Sequence, residues 1–144
     1  MAATAWTLYN KAKKKLANGT IQLGVNVLKM QLHTSASNAS TATLSTAASV
    51  SNEVAAGFGY ATGGKSLTTV TWTTGASAGQ YRLDSADLIW TATGGNIANI
   101  KFAVVKNSAG QALMWSRLTT AQFTLTTNNT LTVQINASGY FTLV

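Results

Sequence analysis

The chain has no cysteine and no proline, one histidine, and three acidic residues. Without cysteine there is no disulfide framework and no thiolate metal site. With His33 alone, a histidine-pair metal site is excluded. The acids are Glu53, Asp84 and Asp87. Catalysis requires positioned acids, bases or nucleophiles, and so small a supply argues against an enzyme and implies neither cofactor nor metal. Charged residues make up only 9 % of the chain, against about 25 % in ordinary soluble domains. No apolar run reaches the roughly 18 residues that a membrane helix needs, so no membrane span is expected. The N-terminus carries Trp6 and a basic run rather than an apolar stretch before a cleavage site, so no signal peptide is expected either.

What remains is a chain of 144 residues, 46 % hydrophobic. That length fits one domain with a real core, and residues 1–144 are read as a single unit. Thr, Ser, Asn and Ala fill the exterior, which suits β-structure and leaves surface free for packing against other subunits. Net charge is +7, and Lys11, Lys13, Lys14 and Lys15 supply four of the ten positive side chains. Such a cluster is a solvated helix face, or it meets an acidic protein surface; nucleic acid ranks behind both because the lysines do not alternate with aromatics on a sheet.

Ala3 to Ala17 reads as a helix, with Trp6, Tyr9 and Leu16 at helical spacing. Thr4 is positioned to cap its start and Asn18-Gly19 its end. Thr20 to Leu32 reads as the first extended segment, with Leu28, Met30 and Leu32 on one face and Val27, Lys29 and Gln31 on the other. His33 ends it as a structural or surface residue. Thr34 to Ser51 is a Ser/Thr/Ala/Asn tract expected to be a long surface loop outside the core, with a short helical turn near Ala42 to Ala48.

Asn52 to Leu67 is the corner at which the main β-run begins. It holds Glu53, four glycines and the aromatics Phe58 and Tyr60, so a packed turn with positive φ or close backbone approach is expected. Gly59 and Gly64-Lys65-Ser66 meet the spacing of a phosphate-binding loop. However, Glu53-Val54-Ala55-Ala56 upstream is not a strand ending in a tight turn, and no Walker-B strand ending in Asp follows; the residues favour a structural turn.

Strands follow at Ser66–Thr74, Gln80–Asp84, Asp87–Ala92, Ile97–Lys106, Gln111–Leu118, Gln122–Thr126, Leu131–Asn136 and Tyr140–Val144. The longest sets Ile100, Phe102 and Val104 against Lys101, Ala103 and Val105. About nine short strands with turn signals roughly every 8–12 residues imply an antiparallel β-sandwich or barrel, jelly-roll-like among the options, with one N-terminal helix. The last strand has no charge and is expected to be paired, because an apolar edge invites aggregation. Asp84 and Asp87 flank a turn and read as Asx caps rather than a paired-acid site or a cation site. The Asn-x-Ser/Thr triplets at Asn18, Asn38, Asn128 and Asn136 reflect composition.

Several of these pieces together resemble a family of small virion proteins of tailed bacteriophages. They are Trp6-Thr7-Leu8-Tyr9 with the lysines and Asn18 to Leu23, the strand Val27 to Leu32, Asn52-Glu53-Val54, Gly59 to Leu67, the Asp84, Asp87 and Trp90 series, and the close from Asn136 to Leu143. The resemblance spans most of the chain and rests on structural glycines and aromatics. It departs from the family pattern in the Ser/Ala-rich tract before Asn52 and in the density of lysines. It implies a capsid decoration (cement) protein that binds the capsid exterior and bridges neighbouring major capsid proteins. It also implies a homo-oligomer, dimer or trimer, assembled in the host cytoplasm. Trp6, Tyr9, Lys13, Lys14, Leu44, Phe58 and Tyr60 are the expected partner contacts. A tail or head–tail junction component is the neighbouring alternative. A glycan-binding β-sandwich is the alternative of another class, for which exposed Trp72, Trp90 or Trp115 would serve as stacking platforms.

Overall fold

Eleven strands and one α-helix follow one another along residues 4–144, the part of the chain that the computed structural model describes. They are β1 (Thr7–Leu8), α1 (Asn10–Ala17), β2 (Leu28–Thr34), β3 (Lys65–Ser66), β4 (Thr71–Thr74), β5 (Tyr81–Asp84), β6 (Leu88–Thr91), β7 (Ile97–Asn107), β8 (Ala112–Arg117), β9 (Phe123–Leu125), β10 (Thr130–Val133) and β11 (Phe141–Leu143). The protein is mainly β with one helix, and every strand pairing is antiparallel. The largest sheet runs β1-β8-β7-β2-β3, with β9 also on β7; β10-β6 and β11-β5-β4 form two smaller ones.

β7 is the spine of the large sheet, paired with β2 and β8 along most of its length. One face of that sheet carries Leu28, Met30, Leu32, Ala103, Val105 and Met114, all fully buried. Leu88, Trp90, Leu131 and Val133 of the β10-β6 pair and Leu83 of β5 join the same hydrophobic cluster. The alternation expected for a half-buried strand is clean in β6, where Leu88 and Trp90 point in and Ile89 and Thr91 point out. The last strand is paired as expected, β11 with β5.

Several sequence expectations fail for identifiable reasons. The helix begins at Asn10, not Ala3, which itself lies outside the described residues. Thr4 to Tyr9 runs extended because β8 offers it a ladder: Thr7 and Leu8 pair with Trp115 and Met114, and the Tyr9 amide donates to the Leu113 carbonyl at 3.1 Å. Thr4 therefore does not cap the helix; its Oγ1 accepts from the Arg117 amide at 3.0 Å. The helix end stands as expected, with the Asn18 and Gly19 amides donating to the Lys14 and Leu16 carbonyls.

The first long strand covers Leu28–Thr34 only. Residues 20–27 fold into turns, held by the Asn26 side chain accepting from the Gln22 amide at 2.7 Å. Gln31, expected on the open face, is 4 % exposed, and Thr46, Ala47 and Val50 of the segment after β2 line the same pocket as it does. That segment was expected to lie outside the core. Instead Ala39, Ala47 and Val50 are buried, because small side chains allow close packing and paired polar groups satisfy the backbone. Asn38 and Ser51 exchange side-chain-to-backbone hydrogen bonds of 2.8 and 3.2 Å, and the buried Tyr9 hydroxyl donates to the Ala39 carbonyl at 2.7 Å. The helical turn is a 3-10 turn at Ala47–Ser49, later than expected. Ser66–Thr74 splits into β3 and β4, with Thr69 at φ 51° breaking the run.

Asp84 and Asp87 both serve as backbone acceptors. Asp84 Oδ1 accepts from the Ser85 amide at 2.8 Å, and Asp87 Oδ1 from the distant Ile135 amide at 2.9 Å.

Candidate functional site

The glycine corner is built around Glu53. Its Oε1 accepts from the Tyr60 hydroxyl and from the Gly63 amide, each at 2.7 Å. The same hydroxyl accepts from the Leu32 amide at 3.0 Å, so a buried phenol and a carboxylate lock the corner to β2. Burial first, and the Glu53 hydrogen bond second, push the Tyr60 phenol far above its usual range, so it stays a donor. Lys65 and Ser66 open a strand beside β2 rather than a helix, and Lys65 Nζ donates to the Ile89 carbonyl at 2.7 Å. The geometry is that of a structural corner and not of a phosphate cradle.

Beside it lies His33, 1 % exposed. Its Nδ1 faces the Ser51 carbonyl at 3.0 Å and must donate, which leaves Nε2 as an acceptor without a partner among the described residues. Burial holds its pKa below the usual 6.5, against the raising effects of the Ser51 bond and Glu53; Lys106 adds to the lowering. The unfolded chain therefore binds more protons than the folded one. Stability from this group is present in full above about pH 6.5 and is lost as pH falls from there through the folded value. The expected loss is up to about 1.4 kcal/mol per pH unit. Urea unfolding between pH 7.5 and pH 5.5, above the range where carboxylates titrate, checks it, and His33→Gln should flatten the slope.

A different region carries the surface best suited to a partner. α1 lies against β8, and its Leu16 side chain, with Leu8, Ile21, Leu23, Trp72 and Leu143, lines an apolar groove of about 390 Å³. Trp72 is held upright by aromatic neighbours, stacked on Tyr81 at 6.0 Å and tilted against Phe141 at 6.1 Å. Leu143 is 42 % exposed and Tyr81 47 %. Lys13 stands on the rim, and Lys11 and Lys14 project from the same helix into solvent. Lys15 is committed inward, donating to the Ser45 carbonyl at 2.7 Å and to the Gln111 side chain.

The structure scatters the seven expected contact residues. Tyr9 and Tyr60 are buried and spend their surface in the core. Trp6 is half-buried, edge-on to Tyr140 at 5.0 Å. Leu44 is half-buried against the core. Lys13 and Lys14 are exposed, and Phe58 is 53 % exposed with its ring over Gly95. Of these, Lys13 is the one that lines the groove. Sequence reading missed Leu23, Trp72 and Leu143 as a group, because they come from three distant segments. Trp90 is core at 3 % exposure, and Trp72 and Trp115 are half-buried.

Comparison of the chain with protein-family models, with curated proteins and with solved structures found no match. The class is thus given by the architecture, a mainly β, sandwich-like antiparallel protein with one helix.

Proposed function

We propose that the chain is a structural protein of tailed-phage virions, a decoration protein with a jelly-roll-like sandwich that seats on the capsid exterior and bridges neighbouring major capsid proteins. The observation that supports this reading is the apolar groove beside the lysine face of α1. Its occupant in this reading is an apolar segment of the major capsid protein flanked by acidic side chains. Burial of the groove's apolar lining contributes at roughly 25 cal/mol per Å², before the entropic cost of association. Repetition over a shell, and a dimeric or trimeric form of the protein itself, multiplies a modest contact. The three carboxylates are each committed to backbone or core hydrogen bonds, which fits a binding role better than a chemical one.

The deciding measurement is the copy number in purified particles relative to the major capsid protein. A number comparable with that of the capsid subunit is the expected result. A few copies per particle would move the protein to the tail or head–tail junction, and absence from the particle would overturn the virion reading.

A further inference from the structure

On the other face of the large sheet, strand register places Arg117 opposite Phe102 and Trp115 opposite Val104 and Thr7. Simple alternation would put Lys101 behind the sheet. A register irregularity prevents that: His33 pairs with Phe102 and Thr34 with Ile100, so Lys101 has no register partner on β2. Such a bulge re-aims a side chain. The Lys101 ammonium lies 5.7 Å from the Phe102 ring centroid. Lys101, Phe102, Trp115 and Arg117 then line one pocket of about 420 Å³ with the hydroxyl residues Thr4, Thr7 and Ser40.

Its chemistry is one-sided. Two cations and three hydroxyls stand around two aromatic rings, and none of the three carboxylates lines it. Glu53, Asp84 and Asp87 are bonded elsewhere. The Trp115 Nε1–H is buried with no acceptor among the described residues, and an unsatisfied buried donor is costly. Every polar side chain here is able to donate, and the cations have no acid in the pocket to neutralise them.

The geometry points to a binding site for a compact oxyanion, a phosphate, sulfate or carboxylate group, with room beside it for one sugar-sized moiety against the aromatic rings. Arg117 and Lys101 supply the charge and Thr4, Thr7 and Ser40 the hydroxyl donors, while the Trp115 ring forms part of the wall. The pocket is distinct from the apolar groove, so its test on the isolated full chain is independent of capsid binding.

The test follows the indole N–H resonance of Trp115 in ¹⁵N-labelled protein, assigned with Trp115→Phe. Inorganic phosphate, glucose 6-phosphate and glucose are titrated at constant ionic strength. Phosphate and glucose 6-phosphate should shift the resonance saturably, and glucose should not. Equal affinity for the two phosphates identifies a free anion as the ligand; tighter binding of the sugar phosphate identifies a sugar-borne one. Arg117→Gln and Lys101→Gln should each weaken binding about tenfold while the remaining spectrum keeps its dispersion. Shifts that do not saturate, that sodium chloride reproduces, or that persist unchanged in both variants would overturn the site.

Discussion

Replacing Gly64 with alanine is expected to destabilise the protein by about 4 kcal/mol, enough to lower the melting temperature by roughly 12 °C. Two effects add. Gly64 sits at φ 78°, where a side chain costs about 1 kcal/mol or more. In addition, a Cβ there would lie 2.0 Å from the Met30 carbonyl oxygen and 2.6 Å from its carbon. Those atoms belong to β2, paired on both sides, so they do not yield without breaking the ladder. Gly79 provides the control: its φ is 81° and nothing lies within 4 Å of its would-be Cβ. Gly79→Ala should therefore cost only the conformational part, about 1 kcal/mol. Thermal and urea melts of the two variants separate close approach from backbone strain. Equal losses would mean that the corner gives way and does not clamp β2.

That corner was the most legible feature of the sequence. Glycine density around two aromatics signals backbone that must come close to something, and Gly59 and Gly64 do so, against Thr91 and Met30. The strand run after it was also readable, because Leu131 and Val133, for example, alternate with threonines. The failures share a cause. Trp6, Tyr9 and Leu16 satisfy a helical period, but a pattern says only that side chains are buried. The ladder offered by β8, over a hundred residues away, decides that Thr4 to Tyr9 is extended. The tract 34–51 looked too small-sided to bury, yet long-range hydrogen bonds from Tyr9 and Lys15 draw it in.

The binding surfaces were less legible for the same reason. A groove made by Leu16, Leu23, Trp72 and Leu143 depends on tertiary placement that no local window contains. Lys101 is a sharper case. Alternation assigned it to the face opposite Phe102, and its lack of a register partner on β2 brings it to the same pocket. The lysine cluster of α1 was visible as charge, but not that Lys15 would turn inward and leave Lys11, Lys13 and Lys14 outside.

Under the decoration reading, Leu143→Glu is expected to weaken binding to capsids lacking the protein by roughly 100-fold while leaving the fold intact. Leu143 is near the end of the edge strand β11 and 42 % exposed, so a carboxylate there stays hydrated in the free protein. In the complex it would be carried into an apolar groove, with the desolvation cost of an unpaired charge, and would face the acidic flanks of the partner. The double variant Lys13→Glu, Lys14→Glu acts differently. Both side chains are exposed, so they contribute chiefly to steering, and charge reversal should slow association and invert its dependence on salt. The expected pattern is a faster off-rate for Leu143→Glu and a slower on-rate for the lysine variant, read by surface-immobilised capsids over a range of sodium chloride. A partner that binds the opposite face would leave both rates unchanged, and the groove would then be excluded as the seat of the capsid contact.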